Sequence, residues 1–97
     1  MPAYLIANLK VTDAKGFAAY CDLVMPIVDR FGGRYLVRGG AMEDVEGHLG
    51  LARLILLEFP SLEIMREFYE SDEYAPLLTL RQASTISDVC FTEGYAP

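Results

Sequence analysis

The run LILLEF at positions 54–59 constrains the fold most, because it is apolar on both of its sides. In an extended strand Leu54 and Leu56 point one way, whereas Ile55, Leu57 and Phe59 point the other way. Such a run predicts a central strand that is covered on both faces. Leaving one face in water would forgo roughly 1.5 to 3 kcal/mol for each large side chain left exposed.

The hydrophobic periodicity of the rest of the chain predicts three further strands and two helical regions. The apolar stripe of the first helix contains Pro26, which should kink that helix without ending it. The predicted elements are a strand at 3–11, a helix with its stripe at 17–31, a strand from Arg34 to Arg38, a polar loop at about 41–51, a strand at 53–60, a helix after a Ser61 N-cap, a second helical piece at about 74–83 and a strand at 86–93.

This β-α-β-β-α-β order predicts a single α+β domain with a ferredoxin-like fold. We expect a four-stranded antiparallel sheet with strand order 4-1-3-2 and with helices on one face. The helices leave the second apolar face of the sheet uncovered. A second copy of the chain would cover it, so the pattern predicts a homodimer. A tolerated apolar patch is the alternative.

Composition excludes several classes of protein. The formal net charge is −6 and the eight Lys and Arg residues form no cluster, which argues against a nucleic-acid partner. We expect no signal peptide and no membrane span, hence a soluble intracellular protein. Cys21 and Cys90 lie far apart without a CxxC motif, which favours reduced thiols and a cytoplasmic location.

Three arginines suggest a binding site. If the second and third strands form a hairpin, Arg38 lies roughly opposite Arg53, and Arg34 shares their face. Three like charges on one face favour an anionic ligand such as a carboxylate. The alternative is a set of salt bridges between subunits, whose carboxylates would be Glu58, Glu73 or Glu93.

Tyrosines could complete this site. Hydroxyls of Tyr35, Tyr69 and Tyr74 could line a pocket between the sheet and the helices, and Arg81 lies on the same helical face as Tyr74, seven residues later. Buried core tyrosines with satisfied hydroxyls are the alternative.

Two residues are candidates for acid–base chemistry. His48 is the single histidine, in a glycine-flanked loop that could deliver a general base, although a solvated loop histidine is the alternative. Glu58 ends a buried strand and could act as an acid or base if desolvated, or form an ion pair instead. No cluster of metal-ligating residues occurs at ligand spacing, so we expect no metal and no cofactor.

Four segments carry a resemblance to a known family. The runs MPAYLIANLKVTD, GGRYLVRGG, LEFPSLE and SDEY resemble the DUF1330 family of small bacterial proteins. The resemblance implies a dimeric α/β barrel, a fold shared with antibiotic-biosynthesis monooxygenase-like and NIPSNAP-like domains, and it does not imply a reaction. Family members often carry a tryptophan before the third strand, whereas this chain contains none.

Together these observations predict a homodimer that binds a small organic molecule, with a polar or anionic group held by Arg38 and the tyrosines. Two other functions stay open. One is a structural or assembly module without catalytic activity. The other is a cofactor-independent monooxygenase or isomerase, which rests on analogy of fold alone.

Overall fold

A computed structural model describes residues 1–96 of the chain. Its elements are β1 (Ala3–Val11), α1 (Ala14–Arg30), β2 (Arg34–Arg38), β3 (Leu54–Phe59), α2 (Leu62–Tyr69), α3 (Ala75–Ser84) and β4 (Thr85–Glu93). The strands form one antiparallel sheet in the order β2-β3-β1-β4. This order is the predicted 4-1-3-2 order counted from the opposite edge, and the ferredoxin-like fold is confirmed.

The helices begin and end at residues with clear local signals. The Asp13 side chain accepts a hydrogen bond from the Gly16 amide at the start of α1, and Ser61 caps α2 in the same way. The helix α1 continues through Pro26, as the periodicity indicated, and the chain leaves it at Gly32, whose φ is +77°. The predicted boundaries agree with these bounds to within a few residues.

The core lies between the helices and one face of the sheet. Alternate residues of β1 and β3 are buried against the three helices, while the residues between them face the other way. The face away from the helices carries Ile6, Val37, Leu54 and Leu56, none of which belongs to the buried core. The sequence pattern of β3 therefore corresponds to a sheet with one covered apolar face and one uncovered apolar face.

A β-bulge in β2 corrects one expectation about the arginines. The pairing of β2 with β3 shifts between Tyr35 and Val37, so Leu36 is an extra residue in the edge strand. Arg38 consequently stands opposite Ile55, on the helix-covered face together with Tyr35, and it does not stand opposite Arg53. Arg34 pairs with Glu58 on the other face. The predicted set of three arginines on one face was wrong for Arg34, because the bulge reverses the alternation within β2.

Candidate functional site

A cavity of about 40 Å³ lies between the helices and the covered face of the sheet. That volume corresponds to roughly three water molecules, which suits the polar part of a small molecule. The apolar part of its wall is aliphatic on the sheet side except for Tyr35, and mostly aromatic on the helix side, where Cys21 and Val24 also line it. Three arginines and three tyrosines supply its polar groups, namely Arg38, Arg53, Arg81, Tyr20, Tyr35 and Tyr74.

Arg81 is the most unusual residue of the cavity, because it is only 5% exposed. Its Nη1 donates to the Tyr74 hydroxyl at 2.9 Å and its Nη2 donates to the Tyr69 hydroxyl at 3.2 Å. Its Nε is buried without a partner. The guanidinium is a permanent cation, and its recorded side-chain partners are neutral hydroxyls. A buried cation without a counter-ion is costly, so this position favours an anion in the cavity.

Arg53 contributes a second buried donor from the sheet side. It directly precedes β3, its guanidinium carbon lies 5.3 Å from the centre of the Phe17 ring, and its Nε also has no partner. Gly39 makes room for it, since a Cβ at that position would lie 2.7 Å from the guanidinium carbon. The guanidinium of Arg53 is thus held between an aromatic ring and a bare glycine backbone.

The backbone at Arg53 is fixed by Asn8 of β1. The Asn8 carboxamide oxygen accepts hydrogen bonds from the Ala52 amide at 2.8 Å and from the Arg53 amide at 3.4 Å. The Arg53 carbonyl in turn accepts a bond from the Leu9 amide at 2.9 Å. These bonds end the long loop after β2 and set the point from which the Arg53 side chain enters the cavity.

Arg38 and Tyr35 lie where the cavity meets the surface. Arg38 is exposed, and its guanidinium carbon lies 5.3 Å from the centre of the Tyr35 ring. Tyr74, by contrast, is 1% exposed. The cavity therefore runs from an arginine at its mouth beside β2 to the buried Tyr74 and Arg81 at the start and in the last turn of α3.

The hydroxyls of Tyr20 and Tyr74 form a hydrogen-bonded pair that uses only one of their two protons. The two oxygens are 2.8 Å apart and share one hydrogen bond, while Tyr74 also accepts from Arg81. Two hydroxyl protons are present and only one is used between the pair, so within residues 1–96 the second has no acceptor. Burial raises the pKa of both tyrosines, and it raises the pKa of Tyr35 to about 12. All three hydroxyls thus remain donors at neutral pH.

The structure brings five of the six predicted binding residues together at this cavity and separates the sixth. Arg34 is exposed on the opposite face, where its Nε forms an ion pair with Glu58. Glu58 also accepts a hydrogen bond from the Tyr4 hydroxyl at 3.3 Å. The contacts of Arg34 and Glu58 match the alternative of a salt bridge. The predicted salt bridges were between subunits, whereas this ion pair lies within one chain.

His48 also lies apart from the cavity. Its side chain is 81% exposed, and its Nδ1 lies 3.1 Å from a carboxylate oxygen of Asp44 in the same loop. This geometry matches the solvated loop histidine rather than a base above the cavity mouth. The residues that line the cavity contain neither a histidine nor a carboxylate within the described part of the chain. Residues 1–96 also contain no group of three or more histidine, cysteine or acidic residues placed to hold a metal.

Sequence reasoning missed Tyr20 and Cys21 as lining residues. Both appeared only as members of the apolar stripe of α1, together with Phe17. A hydroxyl on the buried stripe of a helix requires a partner, and that requirement was the available signal for Tyr20. The partner is Tyr74, far away in sequence, so the pair could not be identified from spacing.

A family model described as a domain of unknown function, DUF1330, matches residues 2–95. The chain belongs to the DUF1330 family. Among curated proteins there is no match. The resemblance at the start, at β2 and around β3 is therefore confirmed for nearly the whole of this DUF1330 chain.

Solved structures with low sequence identity share the fold of this DUF1330 chain. A protein of unknown function from Rhodopseudomonas palustris, RPA0582, is 19% identical with a TM-score of 0.79, over 99% of this chain and 84% of that one. SnoaB, a cofactor-independent oxygenase from Streptomyces nogalater, is 10% identical with a TM-score of 0.64, over 99% and 95% of the two chains. A dimeric ferredoxin-like protein of unknown function from Jannaschia sp. CCS1 is 14% identical with a TM-score of 0.66, over 97% and 100%. At these identities the likeness shows the fold alone.

Proposed function

We propose that this DUF1330 protein is a homodimer that binds a small organic acid in the cavity between the sheet and the helices. The observation that carries the proposal is the buried Arg81 guanidinium, which lines the cavity with an unpartnered Nε. Each buried donor without an acceptor costs about 1 to 3 kcal/mol. A ligand that supplies an acceptor here recovers that cost.

Charge supports an acid rather than a neutral ligand. Three guanidinium groups line one small cavity, and in residues 1–96 none of them has a carboxylate within 4.0 Å. The chain as a whole is acidic, so this concentration of positive charge is local. A carboxylate can accept two parallel bonds from a guanidinium, which makes it the acceptor that fits arginine best.

Binding is favoured over catalysis by the chemistry of the wall. The raised pKa values of Tyr20, Tyr35 and Tyr74 keep these hydroxyls protonated, so they offer no base at neutral pH, and the candidate bases His48 and Glu58 lie elsewhere. An oxygenase or isomerase would need a proton acceptor that these residues do not offer. A role for Arg53 and Arg81 in the dimer interface is also disfavoured, because both lie on the side of the sheet opposite the apolar face that would pair with a second copy.

The proposed dimer uses the uncovered face of the sheet. Ile6 of β1 stands opposite Leu56 of β3, with Leu54 and Val37 beside them, and a twofold partner would bury this patch. The dimeric state of a ferredoxin-like structural neighbour supports the proposal of a dimer. In the part of the chain that is described, no helix is long and apolar enough to cross a membrane. The two free cysteines suit a reducing compartment, and we propose a cytoplasmic location on that ground.

The test is ligand-induced stabilisation of the purified protein. Acetate, propanoate and benzoate at millimolar concentration should raise Tm, because a ligand that binds only the folded state stabilises it. Arg53→Met keeps an apolar stem beside Phe17 but removes the charge, and it should reduce the rise, because only the Arg81 side of the site remains. Arg66→Met, an exposed change on α2 outside the cavity, should not. If no organic acid raises Tm of the parent chain, the binding proposal is refuted.

A further inference from the structure

The unpartnered donors of the cavity lie on two different walls. The Nε of Arg53 comes from the sheet side, beside Phe17 and Gly39. The Nε of Arg81 comes from α3, beside the hydroxyls of Tyr69 and Tyr74. Nothing in residues 1–96 accepts a hydrogen bond from either atom. A ligand with a single acceptor group at one wall would leave the other donor buried and unpaired.

We infer that the ligand is a short dicarboxylate, with one carboxylate at Arg81 and the other between Arg53 and Arg38. This inference rests on the proposed function and narrows it to one class of acid. The inner carboxylate accepts from the Arg81 Nε and from the spare proton of the Tyr20 and Tyr74 pair. The outer carboxylate accepts from Arg53 at the sheet wall and from Arg38 at the mouth.

The count of charges agrees with two carboxylates. One carboxylate at Arg81 would leave two guanidinium charges uncompensated, one of them on the half-buried Arg53, whose Nε is buried without a partner. Two carboxylates leave a single positive charge, which can reside on the exposed Arg38, where water screens it. The number of negative charges follows from the burial of Arg81 and of the Arg53 Nε, and it does not depend on the identity of the acid.

Much of the cavity wall is apolar. Leu5, Leu9, Val24 and Ile55 line the cavity together with aromatic rings. Methylene groups fit such a surface, whereas a sugar or a chain of hydroxyls would bury polar groups without partners. Inorganic phosphate concentrates its oxygens around one centre, so it fits one wall better than two. The cavity of about 40 Å³ encloses only one end of such a molecule, so the spacer is short and the outer carboxylate lies at the mouth beside the exposed Arg38.

The experiment compares acids of matched length in calorimetric titrations of the intact protein. Propanoate and butanoate carry one carboxylate, while malonate, succinate and glutarate carry two, and inorganic phosphate is the competing anion. We expect the best dicarboxylate to bind about tenfold to a hundredfold more tightly than the monocarboxylate of similar length, since it adds a charge-assisted contact at a second wall.

Variants at each wall should remove that advantage. Arg81→Lys keeps the charge but loses the Nε donor, and Arg53→Met removes the other position, so in each the dicarboxylate and the monocarboxylate should bind within about twofold of each other. If circular dichroism shows that Arg81→Lys does not fold, the comparison of dicarboxylate and monocarboxylate affinity in Arg53→Met tests the inference. Arg66→Met should leave the advantage intact.

The outcomes separate this inference from the proposed function. Equal affinity of monocarboxylates and dicarboxylates for the parent chain overturns the dicarboxylate inference and leaves the acid-binding function standing. Phosphate binding more tightly than every dicarboxylate also overturns it. Absence of binding by every carboxylate refutes both.

Discussion

The Tyr74 hydroxyl lies 2.9 Å from Nη1 of Arg81 and 2.8 Å from the Tyr20 hydroxyl. Tyr74 is the N-cap residue of α3, Arg81 belongs to the last turn of the same helix, and Tyr20 belongs to α1. One hydroxyl therefore joins both ends of α3 to α1. Because Tyr74 and Arg81 are almost fully buried, this junction fixes the Arg81 guanidinium against the cavity.

Tyr74→Phe should destabilise the fold. The change removes an acceptor from a buried guanidinium and a partner from Tyr20, and we expect the free energy of unfolding to fall by about 1 to 3 kcal/mol. Urea denaturation followed by circular dichroism measures this loss. Tyr95→Phe removes a hydroxyl from a residue that is 87% exposed and should change the free energy by less than about 0.5 kcal/mol. Equal free energies of unfolding in the two variants would contradict a stabilising role of the Tyr74 hydroxyl.

Stability should fall steeply in alkali. The pKa of Tyr20, Tyr35 and Tyr74 is raised in the folded chain, mainly by burial, above the value of about 10 in the unfolded chain. Their contribution is fully present below about pH 9 and is lost as pH rises toward the folded pKa values, because the unfolded chain then binds fewer protons. Each tyrosine can contribute up to about 1.4 kcal/mol per pH unit in that range.

Urea unfolding measured from about pH 8 to about pH 11 checks this dependence. Tyr35→Phe removes one of the three groups, whose folded pKa is about 12, and should make the fall with pH less steep. A free energy of unfolding that stays constant from neutral pH to about pH 11 would rule out buried, protonated tyrosines.

Arg34→Ala should leave acid binding unchanged. Arg34 is on the sheet face opposite the cavity, and its side chain is 70% exposed in its ion pair with Glu58. An exposed pair of this kind contributes up to about 1 kcal/mol to stability. Calorimetric titration with propanoate should give the same Kd as for the parent chain, in contrast to Arg53→Met. A rise in Kd of more than about threefold would show that Arg34 contributes to acid binding.

The sequence was sufficient for the element order and for part of the site. The two-sided pattern of β3 predicted the central strand, and seven residues of helical spacing predicted that Tyr74 and Arg81 share a face. These predictions succeeded because each depends on periodicity within one element. The placement of cavity residues at β2 and β3 required the pairing register as well, and there Arg38 and Arg53 share a face as predicted, but Arg38 pairs with Ile55 and Arg34 lies on the other face.

The failures have a common physical cause. Leu36 carries no sign of a bulge, yet one extra residue in the edge strand moves Arg34 and Arg38 to opposite faces. Tyr20 and Tyr74 are 54 residues apart in sequence, yet their hydroxyls join α1 to the start of α3. Register and long-range pairing are set by the packing of the whole domain, and residue patterns within single elements do not contain them.

Leu56→Lys should convert the proposed dimer to a monomer. Leu56 stands opposite Ile6 in the middle of the uncovered face, and a buried lysine at a twofold interface would face its own copy closely without a counter-charge. Light scattering coupled to size-exclusion chromatography measures the mass. Leu23→Lys is the matched control, since Leu23 is an exposed leucine of α1. A monomeric parent chain at micromolar concentration would contradict the burial argument itself.

Gly39→Ala should weaken acid binding while its neighbour Gly40→Ala does not. A Cβ at Gly39 would lie 2.7 Å from the guanidinium carbon of Arg53, whereas nothing lies within 4 Å of a Cβ at Gly40. The side chain of Arg53 is flexible and can move aside, so the clash should displace the guanidinium from the cavity wall without unfolding the chain. The φ of +68° at Gly39 adds about 1 to 2 kcal/mol of backbone strain for alanine.

We expect Kd for propanoate to rise about tenfold in Gly39→Ala and to change by less than about twofold in Gly40→Ala. Calorimetric titration of the two variants makes the comparison at adjacent positions, so a general effect of alanine on the loop would appear in both. Equal affinities in the two variants would show that the position of Arg53 against Gly39 is not needed for binding.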